Sequence, residues 1–433
     1  MVRATTGGVL KSYRYNLMNS FISSNKARET VLTQRVFNSY AEDPAAAAKS
    51  FRLRKSRMMT SSQLSVCQDT YYKHSAGFQC LLTIDELIDT TNGKGTAMTT
   101  LKGTTLEMLN DPKGDARVQL TKVLDQLSDT IVQNLNQTYG DDFIFAGADG
   151  QNVPFTVEEV NGVKKLFYRG VSVDATPPGA ILTDAATGNN VTDANGNYVM
   201  ASSPTLSKTE YDDAIAAGEA TGNFISYKAS DGSGSTVDRY VRIADAETMS
   251  EEDYNKAKTD AEKLDYLMNE KRFVDIGLGL QEDENGKLIE SSAFNDALNG
   301  LTFLGYGMDE DGDPKNIYSI IQKLKGIAES VPDEGTWSAD VYEDFKGLVS
   351  KLEDASSNFK TEFTNMDAGT QKLKNNMSLL EDNVYSLKEQ YSNIEDVNMA
   401  DAITSFIWAE YCYNAALKVG NSILSQSLMD YLN

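Results

Sequence analysis

The sequence has few of the residues on which most enzymes and metal sites depend. Its 433 residues include a single histidine, His74, and three cysteines, Cys67, Cys80 and Cys412. One histidine excludes every metal motif that needs two imidazoles, and three cysteines cannot form a disulfide framework in so long a chain. We therefore expect His74 to be a surface or packing residue, and we predict no catalytic residue, cofactor or metal.

The sequence also lacks long apolar runs and a positive net charge. No stretch is long enough to span a membrane, and the first residues lack the apolar segment of a secretory signal peptide. Acidic residues outnumber Lys and Arg by 63 to 40, giving a net charge of −23. Such a charge repels nucleic acid and anionic lipid, so neither a nucleic acid nor a membrane is an expected partner.

Candidate binding loops fail at their defining positions. The acidic run Asp309–Pro314 has carboxylates at calcium-like spacing, but an EF-hand loop needs glycine where Pro314 stands and glutamate where Ile320 stands. The run Asp309–Pro314 instead predicts an acidic turn that caps a helix starting at Pro314. Gly277-Leu278-Gly279 lacks the third glycine of a dinucleotide-binding loop.

The apolar pattern near the end of the chain predicts a long helix packed along another helix. The spacing alternates between four and three residues, which is a heptad seam. It comprises Leu373, Met377, Leu380, Val384, Leu387, Tyr391 and Ile394, and the chain beyond it is rich in aliphatic and aromatic residues.

The charges of the two ends are complementary. Residues 1–60 hold eleven Lys/Arg against three acids, and residues 353–433 hold twelve acids against five Lys. This favours packing of the two ends, within one subunit or between subunits, although two solvated helix faces would show the same pattern.

The apolar pattern and the helix start and stop signals predict that the first 140 residues are mainly helical. Asp43 as N-cap with Pro44 at the first helical position predicts a helix running to about Thr90, where Thr91–Gly95 ends it. A later helix carries one apolar face, formed by Leu120, Leu124, Leu127, Ile131, Leu135 and Tyr139.

The middle of the chain changes to strand patterns. Asn161-Gly162 and Asn285-Gly286 are hairpin signals. Strands are predicted at Phe143–Gly147, Phe155–Val160, Val163–Tyr168, Phe224–Lys228, Val237–Ile243 and Leu301–Tyr306, with helical pieces near 207–220, 250–271 and 314–330. The predicted class is therefore α+β, a helical bundle or coiled coil of residues 1–140 and 338–433 with an inserted, mostly β domain at 141–337.

Several segments together resemble the flagellin family, and within it the subfamily at the hook–filament junction. Asn38–Ala48, with Phe51-Arg52-Leu53-Arg54, is similar to the family's N-terminal segment, although Thr33–Phe37 lacks the glycine usual before it. Tyr139–Gly147 with Pro154-Phe155 resembles the junction subfamily's own motif. Ala293–Asn295 through Gly305–Gly307 and the tail from Ala415 to Leu432 are also similar.

The resemblance implies a structural protein that is not an enzyme. It implies an extracellular subunit of the bacterial flagellum, exported by the flagellar export apparatus with a chaperone and without a cleavable signal peptide. The implied partners are further copies in a helical tube, a neighbouring hook-associated protein and flagellin. The expected subunit-interface residues are Tyr13, Leu17, Ile403, Phe406, Leu417, Val419, Leu424, Leu428 and Tyr431.

Two alternatives remain open from the sequence. One is a flagellin, the bulk subunit of the filament, against which the motif ending at Gly147 argues. The other is a secreted binding module whose middle region recognises a glycan or a host protein, with the helices as a stalk.

Overall fold

The computed structural model describes residues 6–89, 100–110, 112–160, 162–232, 235–332 and 336–432, apart from the side chains of residues 6 and 422–432. The chain is α+β, as predicted, with long helices towards both ends and short strands between them. The helices are α1 Thr6–Thr33, α2 Pro44–Ile88, α3 Leu101–Met108, α4 Asp115–Leu135, α5 Lys208–Ala216, α6 Glu251–Met268, α7 Gly300–Leu304, α8 Ile317–Ser330, α9 Ala339–Glu395 and α10 Met399–Leu432.

The strands are short and all their pairings are antiparallel. They form small sheets in the orders β1-β2, β8-β10-β9, β11-β7, β12-β13, β14-β3 and β4-β5-β6. They are β1 Thr138–Tyr139, β2 Asp142–Phe143, β3 Ala146–Gly147, β4 Phe155–Val160, β5 Val163–Tyr168, β6 Val171–Ser172, β7 Tyr198–Val199, β8 Thr205–Ser207, β9 Phe224–Ser230, β10 Thr236–Arg242, β11 Thr248–Met249, β12 Phe273–Val274, β13 Phe294–Asn295 and β14 Leu298–Asn299.

The chain forms two compact units. The first contains Met1–Asp69, Asp275–Ser292 and Leu373–Asn433, and the second contains Thr70–Val274 and Ala293–Lys372. Helices α2 and α9 therefore each contribute residues to both units. The domain boundaries at residues 140 and 337 stay a prediction.

The predicted heptad seam lies along α9 and packs against α2 in the first unit. Leu373 and Leu380 are buried and the other five seam residues are half-buried, which confirms the predicted periodicity. The two helices are antiparallel, since the Cys67 thiol lies 3.6 Å from the Leu373 carbonyl oxygen and the Arg54 guanidinium stacks 4.7 Å from the Tyr391 ring centre.

The beginning of α2 follows its predicted signals. The Asp43 carboxylate accepts a hydrogen bond from the Ala46 amide at 2.9 Å, so it pairs one of the first amides of the helix, which have no partner within the helix itself. The helix ends at Ile88, and the predicted break at Thr91–Gly95 lies outside the described residues.

The core of the second unit is built around α4 and α8. The predicted apolar face of α4 is buried from Leu120 to Leu135, whereas Tyr139 lies beyond the helix in β1 and is exposed. α8 contributes Ile320, Ile321 and Leu324 to the same hydrophobic cluster.

One predicted hairpin is confirmed and two predicted strands are wrong. The predicted strand Phe143–Gly147 is divided between the end of β2 and β3, with Ile144 and Phe145 in a turn between them. β4 and β5 pair with Val160 opposite Val163, and Gly162 has a φ of +79°, while Asn161 lies outside the described residues. Residues 300–304 form α7 instead of a strand, because the Asn299 side chain caps the Leu301 amide at 3.0 Å. A short apolar run does not distinguish a buried strand from a buried helical turn.

The acidic turn at Asp309–Asp313 is partly neutralised by two lysines, Lys351 and Lys323, of which Lys323 pairs with Asp313. The Lys351 ammonium lies 2.7 Å from the Asp309 carboxylate and 3.0 Å from that of Asp311, and it also pairs with Asp313. The prediction that this turn caps a helix starting at Pro314 is wrong, because α8 begins at Ile317 with Asn316 as its N-cap.

His74 belongs to a buried ionic cluster in the second unit. The Asp296 carboxylate lies 3.1 Å from the Lys73 ammonium, 3.2 Å from His74 Nε2 and 3.0 Å from Arg272 Nε. Lys73, His74 and Asp296 are all buried. Burial alone would raise the pKa of Asp296, but hydrogen bonds and charges from these three neighbours lower it to about 2.

Candidate assembly interface

The terminal helices α1 and α10 form an antiparallel pair within the first unit. The Val36 amide donates to the Glu395 carbonyl oxygen at 2.8 Å, next to the residues that connect each helix to the coiled coil. Further along, the rings of Phe21 and Tyr413 lie 5.6 Å apart. Near the other end of the pair, Tyr13 packs on Gly420.

Small residues line the seam between these two helices. The half-buried and buried positions recur in steps of three and four, and at about half of them the side chain is a hydroxymethyl, a methyl or a hydrogen. They include Ser20, Ser24 and Ala27 on α1 and Ala402, Ala409, Ala416 and Gly420 on α10. Small side chains let two helix backbones approach closely, and α1 and α10 do so along their length.

Gly420 is expected to be essential for this close approach. Alanine favours a helix over glycine by about 1 kcal/mol, yet a methyl group on Gly420 would overlap the Tyr13 ring. We predict that Gly420→Ala destabilises the pair by about 1–3 kcal/mol, seen as faster amide hydrogen exchange in α10. Gly7→Ala is the matched control, since no atom lies within 4 Å of its added methyl. Equal exchange in both variants would contradict the close seam.

Most of the large apolar side chains of the pair lie outside the seam and are exposed, whereas Tyr13, Leu17, Phe406 and Tyr413 are half-buried in it. Trp408 is 64% exposed, Tyr411 68% and Tyr15 69%. The others are Val9, Leu10, Met18, Phe21, Ile22 and Leu32 on α1, and Ile403, Ile407, Leu417 and Val419 on α10. Extended exposed apolar surface of this kind marks an interaction site. None of the described helices is both long and apolar enough to cross a membrane.

The predicted interface residues divide between the seam and this outer surface. Tyr13, Leu17 and Phe406 are half-buried in the α1–α10 seam. Ile403, Leu417 and Val419 are exposed on α10. The side chains of Leu424, Leu428 and Tyr431 lie outside the described residues, so these three stay predictions.

The prediction missed several outer residues, notably Tyr15, Met18, Trp408 and Tyr411. Their signal was present in the sequence as the small residues at heptad spacing from Ala402 to Gly420. That pattern places the alanines in the seam, and Trp408 and Tyr411, which fall at other positions of the same heptads, lie outside it.

A buried carboxylate holds together the two connections that join the helix pairs. Glu395 is 4% exposed and accepts hydrogen bonds from Ser50, Arg54 and, at 2.6 Å, the Tyr391 hydroxyl. In addition, the Val397 amide donates to the Gln34 carbonyl oxygen at 3.1 Å. Burial alone would raise the pKa of Glu395, but the hydrogen bonds from Ser50, Tyr391 and Arg54 lower it.

The stability of this junction should decrease at acidic pH. Folding lowers the pKa of Glu395, so the ionised carboxylate adds to the free energy of unfolding. That stabilisation is present above the ordinary glutamate pKa of about 4.5 and is lost as the pH falls below it. We predict that Glu395→Gln destabilises the first unit by about 2 kcal/mol at pH 7 and by less at pH 3.5, measured by hydrogen exchange around Val36 and Val397. Glu410→Gln, at an exposed site on α10, should change neither value. A pH-independent loss would contradict the ionic role of Glu395.

Comparison with known proteins gives a similarity only at the level of solved structures. No family model and no curated protein matches the chain. A Vibrio parahaemolyticus protein provisionally assigned as flagellar hook-associated matches at 11% identity and a TM-score of 0.44, covering 82% of this chain and 100% of that one. FlgL of Xanthomonas campestris matches at 14% identity and a TM-score of 0.30, covering 78% of this chain and 99% of that one. The flagellar junction protein FlgL of Legionella pneumophila matches at 10% identity and a TM-score of 0.32, covering 76% of this chain and 99% of that one. At these values the likeness by itself assigns neither a family nor a function.

Proposed function

We propose that the protein is a structural subunit of the bacterial flagellum that joins the hook to the filament, the role of hook-associated protein 3. The observation that supports this most is the construction of the α1–α10 pair. About half of its seam positions carry small residues, and most of its large apolar residues are exposed, so the pair is suited to be covered by neighbouring copies.

The motifs of the flagellin resemblance support the same proposal. Asn38–Ala48 forms the connection into α2, beside the Glu395 cluster. The motif ending at Gly147 holds Phe145 and Ala146 in the core, and Ala146 pairs with Asn299 between β3 and β14. The second motif is therefore partly buried in the core, whereas residues 38–45 of the first are exposed.

Coupled ordering and assembly gives the physical mechanism. A two-helix hairpin with its large apolar residues in water gains stability only when a partner buries them, and the ordering entropy is offset at that moment. Assembly would build a helical tube from the terminal helices. Export through the flagellar apparatus with a chaperone, an extracellular location, and contacts with another hook-associated protein and flagellin belong to this proposal.

Immunogold labelling of flagella from the source organism tests the proposed position. A structural subunit of the junction should be labelled in one short zone between hook and filament. Labelling along the whole filament would identify the protein as the bulk flagellin instead. Absence from the flagellum, combined with saturable binding of a glycan or protein to the full chain, would overturn the proposal in favour of a secreted binding module.

A further inference from the structure

The outer side of α2 in the first unit combines basic and apolar residues. Phe51, Arg52, Lys55, Met58 and Met59 occupy the helix positions turned away from the seam with α9, and all are exposed. Phe51 is 58% exposed and Met58 71%. Neither Arg52 nor Lys55 forms an ion pair with any residue that the structure describes. We call this surface the basic stripe.

The outer side of α9 carries the opposite charge. Asp382 and Glu389 are seven residues apart, so they lie one above the other, and Leu379 and Tyr385 flank them. Leu379 is 58% exposed and Tyr385 68%. Among the described residues, neither acid has an ion-pair partner. Lys388 lies to the side of this surface, which we call the acidic stripe.

The two stripes lie at the same height along the coiled coil. Arg54 stacks on Tyr391, and Cys67 contacts the Leu373 carbonyl group, which fixes the antiparallel register. By that register Lys55 lies level with Glu389 of its own chain, on the opposite side of the helix pair. A second copy placed beside the first without a shift along the axis would therefore set Lys55 against the neighbour's acidic stripe.

We propose that the basic stripe of one copy binds the acidic stripe of a second copy of this chain. This inference rests on the proposed function and adds a lateral contact made by the coiled coil. Because the two stripes are different surfaces on opposite sides, the contact is heterologous, and every bound copy leaves one stripe free for the next. That geometry propagates into a ring or a helical array.

The charge balance favours a second copy as the occupant. With a net charge of −23, two copies repel each other unless oppositely charged surfaces face one another. The stripes supply that match, and each also offers exposed apolar side chains for burial. The charges set the register of the contact, and the apolar residues add contact area.

Charge reversal tests the pairing. One variant carries Arg52→Glu and Lys55→Glu, and the other carries Asp382→Lys and Glu389→Lys. Each alone should self-associate about tenfold or more weakly than the parent in sedimentation velocity, because like charges then face each other. An equal mixture should regain association, because the reversed α2 surface of one then faces the reversed α9 surface of the other. All four residues are exposed, so thermal unfolding of each variant should match the parent. A mixture as weak as its components would overturn the pairing.

Disulfide trapping separates the lateral contact from assembly in general. In a Cys412→Ser background, Lys55→Cys chains mixed with Glu389→Cys chains should form a heterodimeric disulfide on oxidation. Lys26→Cys with Glu389→Cys is the control pair. If the chains assemble without the Lys55→Cys to Glu389→Cys disulfide, the lateral contact is wrong and the proposed self-assembly stands. If the parent chain does not self-associate at all, both proposals fall.

Discussion

Replacing Asp296 with asparagine is expected to cost the second unit about 3–5 kcal/mol of unfolding free energy. The substitution keeps the shape of the side chain but removes the charge that faces Lys73, His74 and Arg272. Lys73 is 7% exposed, and burial already lowers its pKa against the attraction of Asp296. Without the carboxylate, Lys73 must remain as an uncompensated buried charge or lose its proton. Urea unfolding of the full chain measures the loss.

Asp245→Asn is the control for this substitution. Asp245 pairs with Arg242 at 3.3 Å on an exposed part of the second unit, where an ion pair contributes only about 0–1 kcal/mol. The contribution of Asp296 should also vanish with acid, because its pKa is lowered to about 2 and its stabilisation is lost as the pH falls towards that value. Equal stability of the two variants at pH 7 would contradict the buried-cluster account.

The double substitution Ile403→Asp with Ile407→Asp is expected to abolish assembly while leaving the isolated chain folded. Both residues are exposed on one side of α10, at 43% and 59%, so unfolding free energy should change by about 0.5 kcal/mol or less. In an assembly their exposed parts would become buried, so the substitution removes about 1–3 kcal/mol of apolar burial and also places two carboxylates in the interface, which together should weaken association 100-fold or more. Sedimentation velocity together with thermal unfolding measures both effects.

Val237→Asp with Ile243→Asp is the matched control for that experiment. These residues are similarly exposed, at 38% and 45%, but they lie in and beside β10 of the second unit. The same two charges there should leave assembly unchanged. If both double variants assemble equally well, the outer surface of α10 is not the interface.

The long elements could be predicted from the sequence because their signals are local. The α9 seam recurs over three heptads, and Asp43 with Pro44 marks the beginning of α2. The helical piece predicted near 207–220 is α5, which begins at a capping box formed by Ser207 and Glu210. Each of these signals lies within a few residues of the feature that it specifies, so no knowledge of the tertiary fold is needed.

The features that could not be predicted depend on distant residues. The strand prediction at Leu301–Tyr306 failed for a different reason, since a short apolar run is ambiguous and the Asn299 cap that begins α7 is a single local signal. Nothing in the sequence placed Lys351 beside Asp309, or Asp296 beside His74, since each contact joins segments far apart in the chain. The heptad spacing of the alanines marks the seam side of α10, but which side of α1 faces it depends on the position of α1 against α10.

The alkylation rate of Cys412 tests the central claim most directly. Cys412 is exposed on α10, between the outer residues Trp408 and Val419, whereas Cys67 is buried and serves as an internal reference. In the free chain we expect iodoacetamide to modify Cys412 rapidly and Cys67 slowly. In the assembled protein Cys412 should become about as slow as Cys67, because neighbouring copies cover the α1–α10 pair. Rapid modification of Cys412 in the assembly would contradict the account.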